Sequence, residues 1–232
     1  VEVMIGGRAA LITEDMVQED KKTVSKIAST GQGVGPALVR KLQRLDANAV
    51  FDAGAGDVPY AISGLMCTFV EVAQGFSLGI DQPFYPNVTS RNCTVGQALS
   101  DAGIHPHFLR RTIMSVRTFP IRVGDTENTS GGCYGDQEET SFEEIGVEPE
   151  YTTVTGRRRR VFTWSRLQFM DALAANRPDV IFVNFMNYLP EDQHDHFLWT
   201  LLDDYRAIMD AEPQAVLLGF GPHSHNVRIW RG

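Results

Sequence analysis

Read from its first residue, the chain alternates short apolar runs with long polar ones. Val1–Ile5 and Ala9–Thr13 are apolar and split by Gly6-Gly7, which predicts two buried strands, or a strand and its return. Lys21–Ile27 is basic and polar. Then "STGQGVGP" brings Gly31, Gly33 and Gly35 up to Pro36, after which Ala37, Leu38, Leu42 and Leu45 recur at helical spacing, so a glycine loop feeds a helix. Phe69–Ala73 reads as a short buried strand ending at Gln74-Gly75, and the stretch to Thr94 is rich in turn formers, hydroxyls and amides. A helix or turn is expected within Ser100–Arg111 and a strand over Thr112–Val123, closed by Gly124. Residues 125–150 are acidic and poor in large apolar side chains, which predicts a mobile surface excursion.

The last third is the most regular. Ser165 is placed to cap a helix with Leu167, Met170, Leu173 and Ala174 on one face; Pro178 stops it, and a short buried strand follows from Val180 to Phe185. Residues 191–222 repeat the pattern, helix then apolar strand, ending at "GFGP". Helices alternating with uniformly apolar strands predict an α/β fold: a mostly parallel central sheet with helices on both faces. In such sheets ligands gather beyond the carboxyl ends of strands. Four polar loops, 29–36, 74–94, 184–187 and 219–222, are therefore expected to line one crevice.

Composition narrows the function. At 232 residues, 43% hydrophobic and 22% charged, the chain is expected to be one soluble domain, and no apolar stretch is long enough to span a bilayer. A net charge of −8 argues against general nucleic-acid binding. Cys67, Cys93 and Cys133 are odd in number and widely spaced, so neither a disulfide framework nor a CxxC site is supported, and a reducing cytoplasmic setting follows.

Each candidate motif also has a plainer reading. Ser29, Thr30 and the glycines after them suit a phosphate cradle at a helix start, or a simple tight turn. Arg40, Lys41 and Arg44 are a phosphate clamp or a solvated basic face. The four guanidiniums of "TGRRRR", 157–160, following Thr152, Thr153 and Thr155, suit carboxylate or phosphate capture, or a solvated loop. His194 with His196 and His223 with His225 have i,i+2 spacing that favours surface or capping roles over a metal site.

Taken together, "STGQGVGP", "VAQGFSLGIDQPFYPNVTSRNCT", "PIRVG", "TTVTGRRRR" and "GFGP" stand in the order and spacing of the adenylosuccinate synthetase family, which the chain resembles over most of its length. It is most like that family's phage branch, which makes 2-aminodeoxyadenylosuccinate for diaminopurine DNA. The resemblance implies a P-loop-NTPase-like fold and a carbon–nitrogen ligase that joins L-aspartate to the purine six position of dGMP, with IMP as the alternative substrate. It implies ATP or dATP as energy donor, Mg2+ as cofactor and a homodimer in the host cytoplasm.

On matching positions, Ser29, Thr30, Gly31 and Thr89 would hold the monophosphate, with Arg44 reaching it from the other subunit. Gln74 would position the six-oxo group, and Val123 and Arg157 would meet the ribose. Thr153, Val154, Thr155, Gly156, Arg157 and Arg159, within a loop over 152–160, would close on aspartate. Arg159, Asn184, Phe185, Asn187, Gly219, Gly221 and Pro222 would hold the nucleoside triphosphate.

Two departures bear on this. Family members that use GTP carry Lys-x-Asp where this chain has Phe185-Met186-Asn187, and an amide does not demand guanine. The family's N-terminal glycine–lysine loop, catalytic side chain and histidine have no counterpart here, so no general base and no metal ligand are named. The 232 residues are expected to be part of a longer chain; the alternatives are a split subunit or a non-catalytic nucleotide-binding remnant.

Overall fold

The computed structural model describes residues 9–24, 27–44, 67–127 and 129–231. They divide into two compact units, one comprising 1–108 with 126–129, the other 109–125 with 130–232. Among the described residues no helix is long and apolar enough to cross a membrane.

The first unit is helical. Helix α1 (Glu14–Val24) was not legible in the pattern, because Met16 and Val17 are its only large apolar residues before Val24. It forms with Glu14 and Asp15 in its first turn and Lys21 and Lys22 in its last, complementing the helix dipole. Met16 is 1% exposed, on the same side as the buried Asp20. The strand expected over Ala9–Thr13 is reduced to an isolated bridge at Ala10, since the helix claims the chain from Glu14; Val1–Ile5 lies outside the described residues. Helix α2 (Val34–Gln43) packs on α1 through buried Ala37, and Arg40 ties the two by ion pairs to Asp15 (2.7 Å) and Glu19 (3.0 Å).

Phe69–Ala73 is not a buried strand. No described strand pairs with it, and Phe69 is 85% exposed. Helix α3 (Val95–Ala102) begins at Thr94, whose Oγ1 accepts from Gln97 N, and ends at left-handed Gly103.

In the second unit β1 (Ile113–Arg117) is followed by β2 (Ile121–Arg122), so the strand expected over 112–123 is broken at Phe119-Pro120 and its halves join different sheets. Strands β3 (Glu139–Thr140) and β4 (Arg160–Phe162) complete a small antiparallel sheet of order β2-β4-β3. The main sheet adds β5 (Val180–Asn184), β6 (Ala215–Gly219) and β7 (Val227–Ile229) in the order β1-β5-β6-β7, parallel except for β7.

Helices α4 (Arg166–Asn176) and α5 (His194–Met209) both pack on the face carrying Ile181, Val183, Val216 and Leu218. Within this unit the helices thus cover one face, and Phe182 and Leu217, pointing the other way, are only half-buried. Ser165 caps α4 as expected, its Oγ accepting from Gln168 N at 3.0 Å. The buried stripe of α4 is Phe169, Ala172 and Leu173; of the expected face Leu173 is buried and Met170 half-buried, whereas Leu167 is 49% exposed and Ala174 is also exposed. The stripe is phased from Phe169, the bulkiest apolar side chain, which packs against Trp164 at 5.2 Å between ring centroids.

The acidic segment 125–150 is anchored rather than loose. Phe142 is fully buried, Asp136 Oδ1 accepts from Ser165 Oγ at 2.6 Å, and Arg160 Nη1 donates to the Gly131 carbonyl at 2.7 Å.

Candidate functional site

The glycine loop of the first unit is a built turn. Asp20, buried to 6% exposure, accepts from Gly33 N at 2.7 Å. Gly31 and Gly33 have φ of 60° and 83°, and a Cβ on either would lie 2.9 Å from Lys21 Cγ or 2.8 Å from Ile12 Cγ2. Only glycine satisfies both the left-handed backbone and the close approach. The loop follows a turn at Ile27-Ala28 rather than a strand, and it leaves Ser29 and Thr30 exposed ahead of α2. Arg40 is consumed by its carboxylates, whereas Arg44 stands exposed in the left-handed C-cap of α2, so of the basic residues on this helix Arg44 is the one presented beyond its end.

The polar stretch after Gln74 also folds on itself: Ile80 N donates to Arg91 O (3.1 Å) and Thr89 N to Leu78 O (2.8 Å), which brings Thr89 beside the short turn Phe76–Leu78. Gln74 is exposed with φ 64°. Six non-glycine residues among those described have positive φ; Arg44, Arg177 and Asp210 end helices, and the other three, Ala28, Gln74 and Phe185, adjoin the candidate loops. A left-handed residue costs about 1 kcal/mol and points to a functional position when no cap explains it.

In the second unit Tyr151 and Arg158 bridge, Thr152 N donates to Arg157 O (2.8 Å) and Gly156 N to Thr152 O (2.9 Å), so 152–158 is a tight hairpin tip with Gly156 at φ 64°. Its exposed end carries Thr153, Val154 and Thr155. The arginines that look alike in sequence have different fates. Arg158 pairs with Glu143 and Arg160 with Glu139, the latter two structural ties. Arg157 Nε donates to Thr155 Oγ1 (3.1 Å) and its Nη1 to Gly124 O (3.3 Å), which sets the two residues assigned to the ribose, Val123 and Arg157, side by side. Arg159 has a buried Nε with no acceptor among the described residues. A buried guanidinium donor can be satisfied by an anion.

Beyond the carboxyl ends of β5 and β6 the expected loops are in place. Phe185 (φ 62°) opens the turn Met186–Tyr188, and Thr118, 1% exposed and missed by the sequence reading, donates from Oγ1 to Phe185 O at 2.7 Å. His194 Nε2 lies 3.0 Å from both Met186 O and Leu189 O, a structural role for that histidine. Asn187 is thereby held exposed on a braced turn, and Asn184 Nδ2 reaches Ser115 Oγ at 2.8 Å. A Cβ on Gly219 would come within 2.8 Å of Asn184 Oδ1, and one on Gly221 within 2.9 Å of Asn226 Oδ1, so the chain into Pro222 runs tight against its neighbours. Asn226, which also accepts from His223 N at 3.1 Å, had no sequence signal.

The model of the family described as adenylosuccinate synthetase matches residues 61–191. A Vibrio phage phiVC8 protein named N6-succino-2-amino-2'-deoxyadenylate synthase is 37% identical over 99% of this chain and 70% of its own length. The chain belongs to the adenylosuccinate synthetase family. Members of that family are carbon–nitrogen ligases, and so is this chain's class. Its likeness to the cellular adenylosuccinate synthetases is shorter: the Archaeoglobus fulgidus enzyme is 33% identical over 68% of this chain and 48% of its own length.

Among solved structures, the succinoaminodeoxyadenylate synthetase of cyanophage S-2L, described as bound to dGMP and to dATP as energy donor, superposes with a TM-score of 0.84 at 31% identity, over 99% of this chain and 69% of that one. Adenylosuccinate synthetase from Plasmodium falciparum shares the fold, with a TM-score of 0.75 at 16% identity over 97% of this chain and 77% of that one.

Proposed function

We propose that the protein joins L-aspartate to the six position of dGMP, using ATP or dATP, to give 2-aminodeoxyadenylosuccinate for diaminopurine DNA. A lactam oxygen is a poor leaving group. Phosphoryl transfer to the six-oxo oxygen makes it a good one; the aspartate amine then attacks C6, the C6–N bond forms, the C6–O bond breaks and phosphate departs. The protein contributes position and charge stabilisation. Ser29, Thr30, Gly31 and Thr89 take the monophosphate, Gln74 the six-oxo edge, and Val123 and Arg157 the ribose. Thr153–Arg159 takes aspartate, with Arg159 also toward the triphosphate, and Asn184, Phe185, Asn187 and Gly219–Pro222 take the energy donor.

What supports this reading above all is the match over 99% of the chain to a relative described as bound to dGMP and dATP; on this reading Asn187 meets the donor base. An exposed amide on a braced turn offers both a donor and an acceptor, as adenine requires, where guanine calls for a carboxylate. On this reading Arg44, which is exposed beyond α2, serves a second subunit in a homodimer. Mg2+ would neutralise the triphosphate; among the described residues no three His, Cys, Asp or Glu side chains gather to hold an ion, so no ligand is assigned and no step runs through it. An enzyme that draws on free nucleotides and aspartate works in the cytoplasm of its host cell. The test is steady-state kinetics of the full-length protein with dGMP and with IMP, each with aspartate and ATP or dATP. A clear preference in kcat/KM for dGMP is expected, and a strong preference for IMP overturns the assignment.

A further inference from the structure

Glu150 stands just ahead of the arginine hairpin and was singled out by neither charge nor spacing. Its backbone carbonyl accepts from Arg159 N at 2.8 Å, closing the base of the hairpin that carries the candidate aspartate loop. Its carboxylate turns toward the other loop: Oε1 accepts from Arg117 Nη2 and from Tyr188 Oη (3.1 Å), with the carboxylate 22% and the guanidinium 21% exposed. Arg117, held also by its Nε bond to Phe119 O (3.3 Å), lays its guanidinium 3.5 Å from the centroid of the Phe185 ring, and Tyr188 meets the same ring edge-on at 5.0 Å. Burial first, and then the Glu150 charge, hold the Tyr188 phenol above its usual range, so it remains a donor across the working pH. Phe185 is the left-handed residue that sets Asn187 on its turn.

We propose that Glu150 is a positioning residue that locks the aspartate loop and the nucleobase turn into one frame, acting on the first through its main chain and on the second through Arg117 and Tyr188. The proposal rests on the ligase reading and deepens it. A displacement of either loop is passed to the other through one short, half-buried set of charge-assisted bonds, so aspartate and the energy donor are expected to lose affinity together. This is a physical linkage of two subsites rather than a contact with either ligand.

Glu150→Gln keeps the shape and an acceptor at the Oε1 position but removes the charge that strengthens the bonds from Arg117 and Tyr188. In the full-length protein we expect KM for aspartate and KM for dATP to rise by comparable factors, on the order of tenfold, with kcat held within roughly threefold. Tyr188→Phe, which removes one hydroxyl and little stability, is expected to move both constants in the same direction by a smaller factor. A purely structural role predicts the opposite split, a lower Tm and a lower kcat with both KM values unchanged; that outcome, or a rise in only one KM, overturns the proposal. Calorimetric titration of dATP into wild type and both variants gives a readout independent of turnover. Weaker dATP binding in the variants supports the frame, and equal binding in all three overturns it. A wild type that binds dATP but converts no purine monophosphate would count against the ligase reading alone.

Discussion

Gly124→Ala is the sharpest single perturbation the geometry offers. A Cβ at this position would sit 2.1 Å from the Arg158 carbonyl oxygen, a backbone atom, with 3.0 Å as the closest approach real side chains show. The two backbone segments must therefore part by roughly 1 Å, and close-packed backbone does not yield that without loss. What separates is the base of the hairpin: the Arg157 Nη1 bond to Gly124 O, the Tyr151–Arg158 bridge, and with them the placement of Arg157 and Arg159.

Overpacking of this kind costs about 3 kcal/mol, and a 1 Å misplacement of binding groups costs on the order of 100-fold in kcat/KM. Urea denaturation measures the first, and initial rates at varied aspartate measure the second. Gly135→Ala is the internal control: nothing lies within 4 Å of its Cβ, so the change is expected to stay within about 0.5 kcal/mol and leave aspartate kinetics alone. If Gly124→Ala matched wild type in both measurements, the close approach and the hairpin's role would both be refuted.

Three further outcomes are expected. Arg44→Ala and Gln74→Ala should each weaken dGMP in calorimetry, the first by more than tenfold because it removes a charged phosphate partner and the second by about fivefold; unchanged affinity in both rejects the monophosphate assignment. Asn187→Asp, which swaps an amide for a carboxylate, should raise KM for dATP about tenfold and lower that for a guanine triphosphate, read as the ratio of the two specificity constants; an unaltered ratio removes Asn187 from base recognition.

Asp136 gives a pH signature. Burial acts to raise its carboxyl, but bonds from Ser165 Oγ and from the N–H groups at the start of α4 outweigh this and hold it below the ordinary range. A depressed carboxylate stabilises the fold above its unfolded value of about 3.9, and that contribution is lost as pH falls through the lower folded value. Denaturation midpoints of wild type and Asp136→Asn should therefore differ above about pH 5 and draw together as pH falls below the unfolded value of about 3.9; parallel curves would show that the carboxylate charge contributes nothing.

The local code was legible where one short stretch carried its own reason. Ser165 before an apolar period predicts its capped helix, the all-apolar 180–183 predicts a parallel strand, and the glycines at 31 and 33 announce a turn no other residue can make. The adenylosuccinate synthetase loops were readable for the same cause, since each is a contiguous string whose backbone conformation demands particular residues. What escaped reading was everything set by partners far along the chain. Helix α4 turns Phe169, not Leu167, inward because Trp164 and the sheet are there to receive it. Phe119-Pro120 sends two halves of one apolar run into separate sheets.

The arginines of 157–160 are interchangeable as letters. Glu143 and Glu139 neutralise two of them, Gly124 orients a third, and Arg159 keeps a buried donor that finds no acceptor among the described residues. Charge and hydrogen-bonding capacity are written into a side chain, but whether they are spent inside the protein or kept for a ligand depends on which groups folding brings within 3 Å or so, and that is a property of the assembled chain.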